Sequence, residues 1–241
     1  MIKWFAVVLL AVVCMSGRPI LIGSPQCKDL QLFYPLNQQG GKATFDSYLQ
    51  RNAKDTLRGD ALFAYGALVL DGTGDFVSLV HNPAHIITNR FTISLWMWPS
   101  SMATTNKHVF SKVNSTFTDN NYAILFEYVA DQVEFYAGGY TGTNPRTGSG
   151  MTIPNATNWH HIVYSYNGAT LNGYVDGVLK ISVNTVFSLQ SASNSFLSIG
   201  GNYQFGNQFQ GRIKDVRLYN RGLVWSEVRE LYLNPNGIYK R

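Results

Sequence analysis

The chain has 241 residues, of which 14% are charged, well below the roughly one quarter of an average globular domain. An apolar share of 45% with 14% aromatics excludes general disorder and a charge-rich coiled coil. The formal charge of +5 comes from scattered Lys and Arg with no basic-aromatic run, so nucleic-acid binding is not expected.

Met1 to Lys3 give a short basic end, and Trp4 to Met15 form one apolar run closed by Ser16, Gly17, Arg18 and Pro19. A dozen apolar residues fit a signal-peptide core and fall short of the roughly 20 that span a bilayer. Cleavage after Ser16 is the expectation, with a cut after Gly17 or an uncleaved anchor or N-terminal strand as the alternatives; residues 17–241 then form a single secreted domain with no later membrane span. Removal of Cys14 leaves Cys27 alone, so no internal disulfide is available. Two sequons, at Asn114 and Asn155, agree with export.

Period-2 alternation then dominates. Leu30 to Leu36 reads as a strand, and residues 38–60 as a polar connection. Ala67–Leu70 and Phe76–Leu79 flank Asp71-Gly72-Thr73-Gly74-Asp75, which reads as a hairpin turn. In Phe91–Trp98, one face holds Phe91, Ile93, Leu95 and Met97; the other holds Thr92, Ser94, Trp96 and Trp98. Strands follow at 109–112, 122–127 and 132–136. After a Gly/Thr/Asn-rich loop they resume at 159–166, 170–175, 178–183, 196–199 and 211–219. Asp176-Gly177 is the strongest hairpin turn. Only Trp225–Leu233 reads helical, with Val228, Leu231 and Tyr232 on one face. The expectation is an all-β jelly-roll sandwich of two antiparallel sheets with one short C-terminal helix.

A series of motifs carries a family resemblance. Leu70 to Val77, Phe91 to Pro99, Trp159 to Val163, Tyr174 to Gly177, and Ile199 to Asn202 with Phe209 to Arg221 stand in the order and spacing of laminin-G-like domains. The chain resembles that branch of the concanavalin A-like lectin/glucanase superfamily over about residues 30 to 233. The resemblance implies mostly structural roles: Trp159 and the apolar residues after it fill the space between sheets, and Gly211 permits close strand packing. It also implies a structural Ca²⁺ near Asp71, Asp75 and Asp215. Two acids of the family pattern are replaced here, by Gly74 and Lys214. Before the final helix, Val224 and Trp225 stand where the family has a capping Ser or Thr, leaving Ser226 to cap one turn later.

Catalytic signals are sparse. Glu127 and Glu134, with Asp131 between them, are the one carboxylate arrangement open to a glycosidase reading. His160 and His161 point to opposite faces of a strand and cannot share a metal. His81 and His85 are spaced for zinc on a helix, but Pro83 argues against a helix there. Arg58-Gly59-Asp60 spells an integrin-binding tripeptide in a polar loop, a three-residue match of low specificity. No enzymatic activity is expected.

Sugar sites pair aromatic faces with amide hydrogen bonds. Trp98, Tyr140, Asn202, Tyr203 and Phe205 are the candidate ligand-binding residues. The expected function is a secreted recognition module for glycan or extracellular protein. The alternative is a structural or assembly subunit that self-associates through Cys27 or an added Ile20-Leu21-Ile22 strand; a divergent glycosidase is third.

Overall fold

The computed structural model describes residues 11–13, 19–21, 28–37, 56–87, 89–100, 105–112, 122–127, 132–137, 149–155, 157–186, 196–202 and 207–235; the account below is confined to these. They form a sandwich of two antiparallel sheets. Near the N-terminus, β1 (Ala11–Val13) pairs with β2 (Pro19–Leu21) as a separate ribbon.

The remaining strands are β3 (Leu30–Tyr34), β4 (Thr56–Arg58), β5 (Leu62–Ala64), β6 (Ala67–Asp71), β7 (Phe76–Leu79), β8 (Phe91–Pro99), β9 (Lys107–Lys112), β10 (Tyr122–Glu127) and β11 (Gln132–Ala137). They continue with β12 (Met151–Thr152), β13 (His160–Tyr166), β14 (Thr170–Val175), β15 (Val178–Asn184), β16 (Leu197–Ile199) and β17 (Gln210–Tyr219), followed by helix α1 (Trp225–Leu233). One sheet runs β12-β11-β10-β9-β16-β7-β4. The other runs β15-β14-β13-β8-β17-β6-β5, with β3 also paired to β17.

Alternation places one face of each strand in the core. Ile93, Leu95, Met97, Ile162, Tyr164 and Ile213 from one sheet meet Val77, Phe110, Ile124, Phe135, Leu197 and Ile199 from the other. Phe91 stacks on Phe135 across the sandwich, with ring centroids 4.8 Å apart. The Tyr164 hydroxyl donates to the Ser149 carbonyl at 2.8 Å, so the polar end of this core tyrosine is satisfied.

The segment Asp71–Asp75 is not a hairpin turn. β6 pairs with β17 and β5, whereas β7 pairs with β16 and β4, so the segment arches from one sheet to the other. Alternation is the same in an arch and a hairpin, so the local pattern could not separate them. The hairpin here is β5–β6, turning through Tyr65 (φ 55°) and Gly66 (φ 67°).

Helix α1 seals the outer face of the eight-stranded sheet: Val228 and Leu231 pack with Leu30, Phe33, Val163, Tyr174, Tyr219 and Leu223. Its N-cap is Val224, not Ser226. The Glu227 carboxylate reaches back to accept the Val224 N–H at 3.0 Å, and Arg221 holds that carboxylate through two N–H groups at 2.8 and 2.7 Å. A carboxylate three residues into the helix thus satisfies the cap residue's own N–H, the reciprocal half of a capping box, and places negative charge at the helix N-terminus. The edge strand β15 carries a bulge at the Gly173–Tyr174 step that leaves Lys180 unpaired in register, a feature that discourages strand addition. No helix among the described residues is long and apolar enough to cross a membrane.

Candidate functional site

Beyond the C-terminal end of α1, the outer face of the eight-stranded sheet carries a strip of aromatic and cationic side chains. Trp98 on β8 stands directly opposite Arg212 on β17, and Trp96 opposite Lys214. Tyr65, at the tip of the β5–β6 hairpin and 80% exposed, approaches Arg212 from the far side of β17. The Arg212 guanidinium carbon lies 4.6 Å from the Trp98 ring centre and 4.8 Å from that of Tyr65. One register step along, Lys214 Nζ lies 4.2 Å from the Trp159 ring. Cations placed over aromatic faces in this way are held by the ring quadrupole.

Trp159 therefore does not fill the space between the sheets. It lies half-buried on the outer face under Lys214, and the core is filled by Ile162, Tyr164 and Tyr166. Trp96 belongs to the α1 interface, where its ring stacks on His161 at 5.1 Å and on Tyr232 at 5.7 Å. Trp98, outside that interface and half-buried, is the aromatic of β8 left for a ligand. Its platform depends on Gly211: a Cβ there would collide with the Trp98 carbonyl, and the φ of 149° suits glycine alone.

Of the other candidate ligand residues, Asn202 is buried at 2% exposure and points into the protein. Tyr140, Tyr203 and Phe205 lie outside the described residues, as do Cys14, Cys27, Asn114 and Asp131, and the side chain of Glu127. Glu134 is half-buried on β11 of the opposite sheet. Asn155 is exposed, and its carbonyl accepts from His160 Nε2 at 2.7 Å.

A second feature lies at the strand ends beside the strip. Asp60, Asp71 and Asp75 bring one oxygen each to within 4.8 Å of one another. Asp75 Oδ2 accepts the Asp71 N–H at 2.9 Å, which closes the arch. Asp75 Oδ1 is buried and has no hydrogen-bond partner. Burial raises the Asp75 carboxyl; the Asp71 N–H opposes that, and the neighbouring Asp71 and Asp60 charges add to it. Gly59 packs against this oxygen, and a Cβ at that position would strike it.

Asp60 was legible only as part of Arg58-Gly59-Asp60. The β4–β5 turn brings one of its oxygens to the acid cluster, while Arg58, Gly59 and Asp60 all stay exposed. Asp215 does not join the cluster. It sits five positions along β17 from Gln210, the partner of Asp71, and is buried in an ion pair with Arg217 Nη2 at 2.8 Å.

The histidines point as strand geometry requires. His160 pairs in register with core-facing Met97, and His161 with outward Trp96. His160 lies between the Asp176 carboxylate, 2.9 Å from Nδ1, and the Asn155 carbonyl. Burial alone would lower its pKa, but these two acceptors outweigh burial and raise it. Ser94 Oγ and His161 Nε2 stand 2.9 Å apart, a nucleophile-base distance. Both are fully buried beneath α1, and His161 Nδ1 has no acid to orient it among the described residues. That pair is closed to a substrate. His81 Nδ1 contacts Lys112 Nζ at 3.5 Å, and His85 ends a 3-10 turn, so no helix aligns the two rings.

A family model of the concanavalin A-like lectin/glucanases superfamily matches residues 71–229. No curated protein matches the chain significantly. Among solved structures, domain 4 of an extracellular GH43 arabinanase from Geobacillus stearothermophilus, in complex with arabinotriose, superposes with a TM-score of 0.62 at 19% identity over 85% of this chain and 98% of that one. Trypanosoma rangeli sialidase in complex with sialic acid gives 0.66 at 16% identity, covering 95% of this chain and 36% of the sialidase. The binding domain of Paraclostridial Mosquitocidal Protein 1 gives 0.62 at 14% identity over 85% and 52%. The chain thus spans about a third of the sialidase. At these identities the likeness is one of fold.

Proposed function

The chain belongs to the concanavalin A-like lectin/glucanase superfamily, and from that premise we propose that it is a secreted, non-catalytic module that recognises glycan. The observation that carries this reading is the open strip of Tyr65, Arg212 and Trp98 on the rigid outer sheet. Flat aromatic faces suit the C–H faces of sugar rings, and strands hold them at fixed spacing. The arabinanase domain solved with arabinotriose has the same fold, and so does the binding domain of the mosquitocidal protein. Fold alone does not carry function across such distance, so the strip is the primary support.

A glycan array probed with the intact chain and with Trp98→Ala and Tyr65→Ala tests the reading. Truncating an aromatic anchor costs about 2 kcal/mol, or roughly thirtyfold in affinity. Unchanged array binding in both folded variants would remove the strip from recognition.

We further propose that Asp60, Asp71 and Asp75 hold a calcium ion. The donor set fits: calcium takes six to eight hard oxygens, and Asp75 Oδ1 is a buried oxygen with no other partner. A bound cation would tie the β4–β5 turn to the β6–β7 arch. Binding to the folded state alone at a hundred times Kd adds about 2.7 kcal/mol. For a chain of this size that raises the Tm by roughly 5–10 °C. Thermal melts in calcium and in chelator should differ by this amount, and Asp75→Asn should abolish the difference. Identical melts in both conditions would end the proposal.

A further inference from the structure

We infer that the saccharide taken up by the outer strip is acidic, with Arg212 and Lys214 reading its carboxylates. This rests on the recognition reading above and narrows it to a chemical class. Trp98 and Tyr65 reach Arg212 from the two sides of β17, so one guanidinium lies over two rings at once, 4.6 and 4.8 Å from their centres. Cation–π contacts use no hydrogen-bond acceptor, so its N–H donors, set in a fixed fork that matches a carboxylate, are still to be paired. Among the described residues no acceptor meets those donors: Arg212 makes neither an ion pair nor a side-chain hydrogen bond.

Lys214 repeats the arrangement two residues on, about 7 Å along the same face, with its ammonium over Trp159. Two cations at strand spacing, each against an aromatic ring, suit a chain of sugars that presents carboxylates along its length. The nearby Asp60, Asp71 and Asp75 converge on one another rather than on either cation.

The test is titration of the intact chain, by calorimetry and tryptophan fluorescence, with oligogalacturonates and their methyl esters. Uronate-bearing and neutral glycans are compared in parallel on the array. The free acid is expected to bind at least tenfold tighter than its ester at 50 mM salt, with the advantage shrinking at 500 mM. Arg212→Gln should erase the preference, weakening the free acid at least tenfold more than the ester, and Arg212→Lys should restore part of it. Should Arg212→Gln fail to melt as a folded protein, Lys214→Gln provides the same comparison.

Equal binding of acid and ester, or an array response to neutral glycans alone with loss in Trp98→Ala, overturns the acidic assignment and leaves glycan recognition standing. No response to any glycan by folded protein overturns both. Poly-glutamate binding as tightly as oligogalacturonate overturns the saccharide class. Dextran sulfate binding where oligogalacturonate does not overturns the carboxylate.

Discussion

Lowering the pH from 7 to 4 is expected to cost this protein on the order of 6 kcal/mol of folding stability, comparable to the whole stability of a typical domain. Three histidines cause this. Burial lowers His85 to about 4, with the Lys112 and His81 charges adding to the effect. Burial lowers His108 to about 4. His161 falls to about 3, through burial first and then the nearby Arg217 charge. Each is neutral in the folded protein and protonated in the unfolded chain below pH 6.5, so the stability is full above 6.5 and is lost as pH falls toward the folded value. Each contributes about 3 kcal/mol across that window.

Three groups oppose the loss, one of them Asp75, whose carboxyl is raised by burial and regains its contribution on acidification. Asp215 is raised to about 6, so its contribution is present below 3.8 and lost as pH rises through 6; acidification recovers it. His160, raised above 6.5, likewise contributes below that value and loses its contribution at higher pH. Asp176 is lowered from 3.8 and acts below this window. Urea titrations at pH 7, 5.5 and 4.5 measure the balance, and His108→Gln should flatten the curve by about one histidine's share. Stability within 1 kcal/mol at pH 7 and 4.5 would show that these rings are not held neutral.

Asp215→Asn is expected to cost about 3–5 kcal/mol and lower the Tm by roughly 10 °C. The Asp215–Arg217 pair lies under the β3–α1 layer with both side chains almost fully buried. Arg217 packs against the Phe33 ring at 4.6 Å and donates to the Pro235 carbonyl at 3.3 Å. Burial raises the Asp215 carboxyl while Arg217 pulls it down, so at neutral pH both partners are charged. Removing one charge strands the other in the interior. Asn is the informative replacement because Asp215 has φ 53°, a left-handed conformation that Asn tolerates. The double variant Asp215→Asn with Arg217→Met should recover most of the loss, since neutralising both partners removes the stranded charge. Single-variant costs below 1 kcal/mol, or a double variant as poor as the sum of the singles, would mean the pair is solvated.

The division between sequence and structure falls along particular residues. The alternation of Phe91–Trp98 put Ile93 inside and Trp98 outside, and the structure agrees, because a strand's period of two leaves no other choice once one face is apolar. Asp176-Gly177 marked the β14–β15 hairpin because both residues need positive φ, a local demand that residue type alone can meet. Pairing partners were not legible in the same way. Backbone hydrogen bonds are alike for every sequence, so the strand before Asp71 could close a hairpin or join β17, some 140 residues downstream.

The site inherits that ambiguity. Trp98 was identified by its face. Tyr65 and Arg212 were not, because their meaning comes from lying on either side of one strand junction. Asp60 passed for part of a surface tripeptide until the turn after β4 placed it beside Asp75, and Asp215 left the metal set because a bulge in β17 carried it to Arg217. The sequence by itself determined the sandwich, its inside and outside faces, and its closing helix, since these follow from periodicity and turn chemistry over a few residues. Only the tertiary structure decided which cations meet which rings and which acids share a site, since those contacts join residues far apart in the chain, where local pattern exerts no constraint.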